Sequence, residues 1–387
     1  MATQYEIRVR DANGAMVGRL GLGLVNPNGD LIRPFHYVKD LQTAGMLRFR
    51  LNGSHPIIDE FEKNGQVEVW RNVDGAGWYR DFIGLLLDDY TYLQDDELKY
   101  DAYLPGHKII LSWAINAWSA STANKTVFSA VKAETIMKAL VTHNLTSSAT
   151  TGNGRKVTFQ CPYTIQVEAD GSGGNTLNWS CAWKNVLTEL TALTQVGGGD
   201  YDLIRDPDSD GSYTKFEFRF YSGQRGSDLT DEVILAVSRG NLTDANYAHR
   251  GSQAKTCVIV GGQGEKDNRD IEVRTSAEDG ASMHREAFHN ATNYEKGDTA
   301  GLQDRGDQFL EDNSDAEEFS FKVLDVANGR YGIDYCYDSG RNEGILGDLI
   351  TVIRPHDQVS ETHKVEGVTV SVNNMAEENI ILSTVRQ

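Results

Sequence analysis

The sequence predicts a mainly β protein with an α+β insertion. Three observations predict it. Apolar and polar residues alternate over most of roughly the first hundred and last seventy residues, turn formers separate these runs, and clear helical spacing enters between about residues 112 and 199.

In chain order, residues 5–9 and 16–22 flank Asp11-Ala12-Asn13-Gly14. Asn-Gly there predicts a type I′ hairpin turn, whose central residues need positive φ. Residues 66–70, 78–87 and 98–104 continue the strand pattern, separated by Val73-Asp74-Gly75-Ala76-Gly77 and Gln94-Asp95-Asp96-Glu97. Residues 1–112, completed by strands in about 200–240, are expected to form a small antiparallel barrel.

Residues 113–199 read as an inserted lobe with two helices. Over 129–143, Val131, Ile136, Met137, Leu140 and Val141 recur at helical spacing. A second stripe runs through Trp179, Ala182, Trp183, Val186, Leu187, Leu190 and Leu193, and Gly197-Gly198-Gly199 ends it. Strand patterning then returns. Phe216, Phe218 and Phe220 alternate with Glu217, Arg219 and Tyr221, so one face buries three aromatic rings, and runs at 232–237 and 256–260 follow. Residues 241–315 form a loop-rich acidic lobe, with one helix expected near 280–290. In 316–387, Phe319, Phe321 and Val323 point one way. Runs at 331–337, 348–353, 363–372 and 380–384 then complete a second small barrel.

Composition excludes several function classes. The 387 residues carry 37 Lys+Arg against 56 Asp+Glu, a formal net charge of -19, and the basic residues are scattered. Wrapping nucleic acid electrostatically requires a concentrated cationic surface, so that class is disfavoured. No run reaches the eighteen or so apolar residues of a membrane span, and the first residues are already strand-like, so neither membrane insertion nor classical secretion is expected. Cys161, Cys181, Cys257 and Cys336 lack CxxC spacing and read as buried free thiols, with a Cys161–Cys181 disulfide as the alternative. Asn-x-Ser/Thr triplets begin at Asn124, Asn144, Asn178, Asn241 and Asn290 and read as chance.

The sharpest chemical motif is Asp206-Pro207-Asp208-Ser209-Asp210-Gly211 with Glu217 at the twelfth position, which satisfies a calcium-loop pattern of clustered oxygen ligands around a glycine turn. The flanks are strands, not helices, so the motif reads as a solvated hairpin tip, with calcium at Asp206, Asp208, Asp210 and Glu217 as the alternative. Gly261-Gly262-Gln263-Gly264-Glu265-Lys266 lacks phosphate-loop spacing and reads as a turn leaving a strand. His284 and His289 are five residues apart, wrong for a shared helical metal face, and Asp88-Asp89 and Asp95-Asp96-Glu97 read as solvated carboxylates. No catalytic residue and no cofactor is expected.

The order of short motifs nevertheless resembles the tail-hub family of long-tailed bacteriophages, baseplate or tail-associated virion proteins. The residues that carry the resemblance are Tyr5 to Asp11 with the Asn-Gly turn, Val67-Glu68-Val69-Trp70-Arg71 and Trp78-Tyr79-Arg80-Asp81-Phe82-Ile83-Gly84. Tyr103-Leu104-Pro105-Gly106, Ala133-Glu134-Thr135-Ile136-Met137 and Gly223-Gln224-Arg225-Gly226-Ser227-Asp228 follow. Gly261 to Glu265, Arg285-Glu286-Ala287-Phe288 and Gly347-Asp348-Leu349-Ile350-Thr351-Val352 complete the series. The resemblance implies a homotrimeric ring at the tail tip of a virion made in the host cytoplasm. Each subunit would supply two tube-forming barrels, so that three chains dock on a sixfold tube. The implied partners are a distal tail or tube protein, the tape-measure protein and a spike or fibre protein, with DNA passing through without specific binding. Cell-wall cutting is then expected of a separate protein, since the chain ends just after its final strand. An acidic lumen would repel phosphate and let DNA slide.

The rival reading is a carbohydrate-binding or carbohydrate-hydrolysing β-sandwich acting on host glycans, with Trp70, Trp78, Trp113 and Trp118 as stacking platforms.

Overall fold

The computed structural model describes residues 3–22, 35–73, 77–119, 125–206, 213–280, 284–324, 345–354, 358–373 and 378–387. Among them the strands of the first part are β1 (Thr3–Arg10), β2 (Met16–Leu22), β3 (Phe35–Asp40), β4 (Met46–Asn52), β5 (Gln66–Val73), β6 (Trp78–Leu85), β7 (Asp88–Gln94) and β8 (Glu97–Pro105). The lobe contributes β9 (Thr126–Lys132), β10 (Thr164–Val167), β11 (Thr176–Cys181), β12 (Gly199–Arg205) and β13 (Lys215–Ser222), with helices α1 (Ala133–Leu145) and α2 (Val186–Gly197). Then come β14 (Ile234–Ala236), β15 (Leu242–Arg250), β16 (Cys257–Gly261), β17 (Ile271–Thr275), β18 (Glu286–Asn290) and helix α3 (Thr299–Asp312). The chain closes with β19 (Ala316–Val323), β20 (Leu349–Ile353), β21 (Ser360–Val372) and β22 (Glu378–Arg386). The protein is mainly β, as its sequence pattern predicts.

Two sheets enclose the largest core. A four-stranded sheet has the order β2-β1-β5-β6, and a ten-stranded sheet runs β15-β19-β22-β21-β3-β4-β8-β7, with β20 beside β21 and β14 beside β20. The second sheet therefore interleaves strands from both ends of the chain. Ile7, Val9, Val67 and Val69 of the small sheet pack in one cluster with Phe35, Phe49, Tyr100, Phe319, Phe321, Val370 and Leu382 of the large one. Fully burying a side chain of this size stabilises the fold by roughly 1.5–3 kcal/mol. The second half of β6 is buried on both faces: Phe82 joins this cluster, while Ile83 and Leu85 join the core of the lobe. In the lobe, Phe216, Phe218 and Phe220 all turn inward, as their alternation predicts.

Several elements differ from the sequence reading. The first hairpin is antiparallel as expected, but only Gly14 takes positive φ (+85°), and its N–H reaches the Asp11 carbonyl at 3.0 Å. That is a type I turn closed by glycine. The type I′ geometry forms instead at Asp95 and Asp96 (φ +52° and +59°), joining β7 to β8. Strand β9 occupies the start of the first predicted helix, because Val131 pairs with Leu177, and α1 begins only at Ala133. The second predicted helix also starts too early. Trp179 lies in β11, Trp183 takes φ +60°, and α2 opens at Asn185, whose side chain accepts from the Thr188 N–H. The apolar spacing continues by coincidence across a strand, a turn and a helix. No helix forms at 286–290, where β18 pairs with β16 in parallel, and the helix of that region is α3. Strands β3, β4, β7, β10, β15 and β17 were not legible in the pattern. The strand expected at 331–337 and Cys336 lie outside the described residues.

Cys161, Cys181 and Cys257 are free thiols. Asn144 and Asn241 are buried and hydrogen-bonded, so those two triplets are structural asparagines rather than surface acceptors. No helix among the described residues is long and apolar enough to cross a membrane.

Candidate assembly surfaces

The outward face of the ten-stranded sheet is assembled row by row from register. His36 on β3 lies beside Arg48 on β4, followed by Tyr103 on β8 and Asp88 on β7. The next rows are Arg50, Asp101, Tyr90 and then Asn52, Lys99, Tyr92. Period two sends Leu47, Phe49, Leu51, Ala102 and Leu104 to the buried side. Arg50 grips Asp101 with two prongs, Nε to Oδ1 at 2.5 Å and Nη2 to Oδ2 at 2.8 Å, and the Tyr92 hydroxyl donates to the same carboxylate at 3.0 Å. The Arg50 hydrogen bonds hold the Asp101 carboxyl below its usual range. Arg48 sits 4.7 Å over the Tyr103 ring, which Tyr90 meets edge-on at 5.7 Å.

Tyr90, Tyr92, Asp101 and Tyr103, with Asp89 and Thr91, line an open groove of about 740 Å³. The groove follows β7, which ends the sheet. Nearly every β7 residue is exposed, with Tyr90 at 58% and Leu93 at 69%. An edge strand without proline or lysine exposes pairing groups and apolar surface that a partner can cover.

A second surface lies on the outward face of the four-stranded sheet. Register places Arg19, Arg8 and Glu68 in one row and Glu6, Trp70 and Arg80 in the next, with Arg10 beside Gln66. Arg205 reaches in from β12. Two carboxylates serve all five arginines. Glu6 pairs with Arg8 at 2.5 Å and Arg19 at 3.4 Å, while Glu68 pairs with Arg10 and Arg205 at 3.2 Å each and Arg80 at 3.8 Å. Burial, and then repulsion from Arg80, pulls Arg205 down to about 9. The rings of Trp70 and Tyr213 lie under Arg8 and Arg10 at 3.7 and 3.2 Å. This cationic face was not found in the sequence. The alternation of Glu6, Arg8 and Arg10 is visible there, but their meeting with Arg19, Arg80 and Arg205 depends on strand register.

The residues singled out by sequence are dispersed. Asp206 is buried at the end of β12, Glu217 on β13 pairs with Arg219 at 2.6 Å, and Asp208 and Asp210 lie outside the described residues. Among the described residues no group of three or more His, Cys, Asp or Glu is placed to hold a metal ion. His284 sits between Glu286 and Asp279, whose hydrogen bonds raise its pKa, whereas burial pushes His289 down to about 4. Asp88 and Asp89 are exposed residues at the start of β7. Gly262 and Gln263 form the turn from β16 toward β17, with the Gly262 N–H on the Asp270 carbonyl at 2.8 Å. Of the four tryptophans, Trp70 is covered by Arg8, Trp113 packs on Tyr163 and Trp118 stacks on His143 at 3.8 Å, while Trp78 is 40% exposed.

Comparison with known proteins gives the chain a family and a fold. Residues 106–383 match the family described as Siphovirus ReqiPepy6 Gp37-like protein. No curated protein sequence matches the chain. In fold the chain is similar to the 43 kDa tail protein of prophage MuSo2 from Shewanella oneidensis, at 12% identity over 98% of each chain and TM-score 0.56. It is similar to the tail protein from Neisseria meningitidis MC58, at 12% identity over 99% of this chain and 96% of that one and TM-score 0.53. Prophage tail protein gp18 from Listeria monocytogenes EGD-e gives 12% identity, 98% and 94% coverage and TM-score 0.50. The family match spans well over half of the sequence and the likeness in fold extends along all of it, so the chain belongs to the Siphovirus ReqiPepy6 Gp37-like family and has the fold of phage tail proteins.

Proposed function

We propose that this protein is a structural component of the phage tail tip. Three copies form a hub ring that closes or extends the sixfold tail tube, adapts it to threefold tip proteins and lets DNA pass during ejection. The observation that carries the reading is the likeness in fold to a prophage tail protein over 98% of both chains, together with membership of a siphovirus family. Each chain supplies two tube-forming barrel units drawn from the strands near its two ends, within residues 3–105 and 316–387, and the lobe that holds β10, β12 and β13 stands outside them. The ring meets a distal tail or tube protein above, the tape-measure protein within and a spike or fibre protein below. Its carboxylates keep the passage slippery to phosphate. The work is mechanical, and neither catalysis nor a cofactor enters it.

The test is absolute mass by light scattering on a sizing column. Three times 42.8 kDa is expected. A single-chain mass at every concentration, joined to saturable binding of cell-wall polysaccharide, overturns the hub in favour of a glycan module.

A further inference from the structure

The two surfaces described above carry opposite charge. The β7–β8 hairpin presents Asp88, Asp89, Asp95, Asp96 and Glu97, all exposed, beside Tyr90, Leu93 at 69% and Leu98 at 39%. The arginine face gathers five guanidinium groups around two carboxylates in a chain whose net charge is -19. Its reachable members are Arg19, with a side chain 54% exposed, and Arg80 at 26%, and Val17 lies on the same side of β2 as Arg19 at 36%.

These surfaces belong to the two layers that share one core, and each turns away from it. Among the described residues no ion pair joins the hairpin carboxylates to these arginines. One chain leaves the hairpin and the Arg19 and Arg80 members of the arginine face open, while Arg10, Arg205 and Glu68 are buried, and a second copy can cover what is open. Copies bearing -19 each repel one another at long range, and a cationic island on one side offsets that repulsion where they meet. A patch that complements a different patch of the same chain makes head-to-tail contacts, the kind that close into rings.

We propose that the β7–β8 hairpin of one copy docks on the arginine face of the next, an inference that rests on the ring reading and names its contact. The hairpin carboxylates take Arg19 and Arg80, which Glu6 and Glu68 leave incompletely neutralised. Leu93 and Leu98 are covered against Val17 and the edge of Trp70.

The experiment uses the full chain and solvent-exposed positions with the half-buried Arg80, leaving the positive-φ turn at Asp95 and Asp96 untouched. Mass is measured against concentration at low and high salt for the wild type, R19E/R80E, D88K/E97K and the fourfold combination, with thermal melting as the check on folding. The contact predicts that each double variant dissociates at about tenfold or more higher concentration than the wild type, that added salt does the same to the wild type, and that the fourfold combination restores assembly. A wild-type trimer matched by both double variants overturns the docking and leaves the ring intact. Loss in R19E/R80E alone shows that the arginine face meets another acidic surface and overturns the hairpin as its occupant. A wild type that stays a single chain throughout overturns the ring reading itself.

Discussion

Arg71 on β5 and Glu378 at the start of β22 stand 307 residues apart in sequence, and the Arg71 guanidinium donates a hydrogen bond of 2.5 Å to the Glu378 carboxyl. The other prong of Arg71 reaches Asp81 at 3.0 Å, and Asp81 also takes Lys39 at 2.6 Å and the Tyr37 hydroxyl. Burial opposes ionisation of Asp81, but Lys39 and Arg71 outweigh it and hold the carboxyl well below its usual range. This network joins the small sheet to both the early and the final strands of the large one.

Replacing Arg71 by methionine is expected to destabilise the protein by about 3–5 kcal/mol, because the buried Asp81 carboxylate loses a charged partner and Glu378, whose carboxyl burial pushes up to about 8, loses the guanidinium hydrogen bond. Urea unfolding should show a lower midpoint with little change in slope. A midpoint at the wild-type value would mean that the network contributes nothing to the joint between sheets.

Stability should fall with acidification between pH 6.5 and about 4, through His107. Burial lowers this histidine to about 4, below its unfolded value of 6.5, so the unfolded chain binds the proton first. The contribution is complete above pH 6.5 and is lost as pH falls toward 4, about 3 kcal/mol in all at 1.36 kcal/mol per unit. Asp202 acts in a lower window, since Lys108 and Arg225 overcome burial and hold its carboxyl well below the usual range. Comparing unfolding of His107→Gln with the wild type from pH 7 to 4 checks the assignment: the difference between them should narrow as pH falls.

Gly301→Ala should destabilise α3, although alanine is the better helix former by about 1 kcal/mol. A Cβ at Gly301 would lie 2.4 Å from Cδ1 of the buried Tyr294 ring and 2.5 Å from Asp298, whose carboxylate caps the helix at the Gly301 N–H. Overpacking of this kind costs roughly 1–3 kcal/mol. Faster amide exchange across Thr299–Asp312 would register it, and slower exchange would show that propensity wins.

Cys181 should resist thiol reagents at pH 8 until the protein unfolds. It is fully buried, and burial pushes its thiol well above the usual range. Labelling of Cys181 in the native protein, followed by mass spectrometry, would contradict that placement.

The features legible in the residue pattern are local. Phe216, Phe218 and Phe220 declare a half-buried strand by period alone, and Asp11 to Gly14 declare a hairpin because few residues tolerate such a bend. The stripe from Trp179 misled because apolar spacing does not record where a chain leaves β11 and enters α2. Helix α3 went unseen because its inward residues include Gly301 and Gly306, small where the neighbouring strands and Tyr294 come close, so packing rather than hydrophobic periodicity holds it. The tertiary structure alone decided that Arg8, Arg19, Arg80 and Arg205 converge, and that Asp101 lies between Arg50 and Tyr92. Periodicity is written within a few residues of chain. Register and sheet order are settled by contacts between distant segments, whose partners no local pattern names.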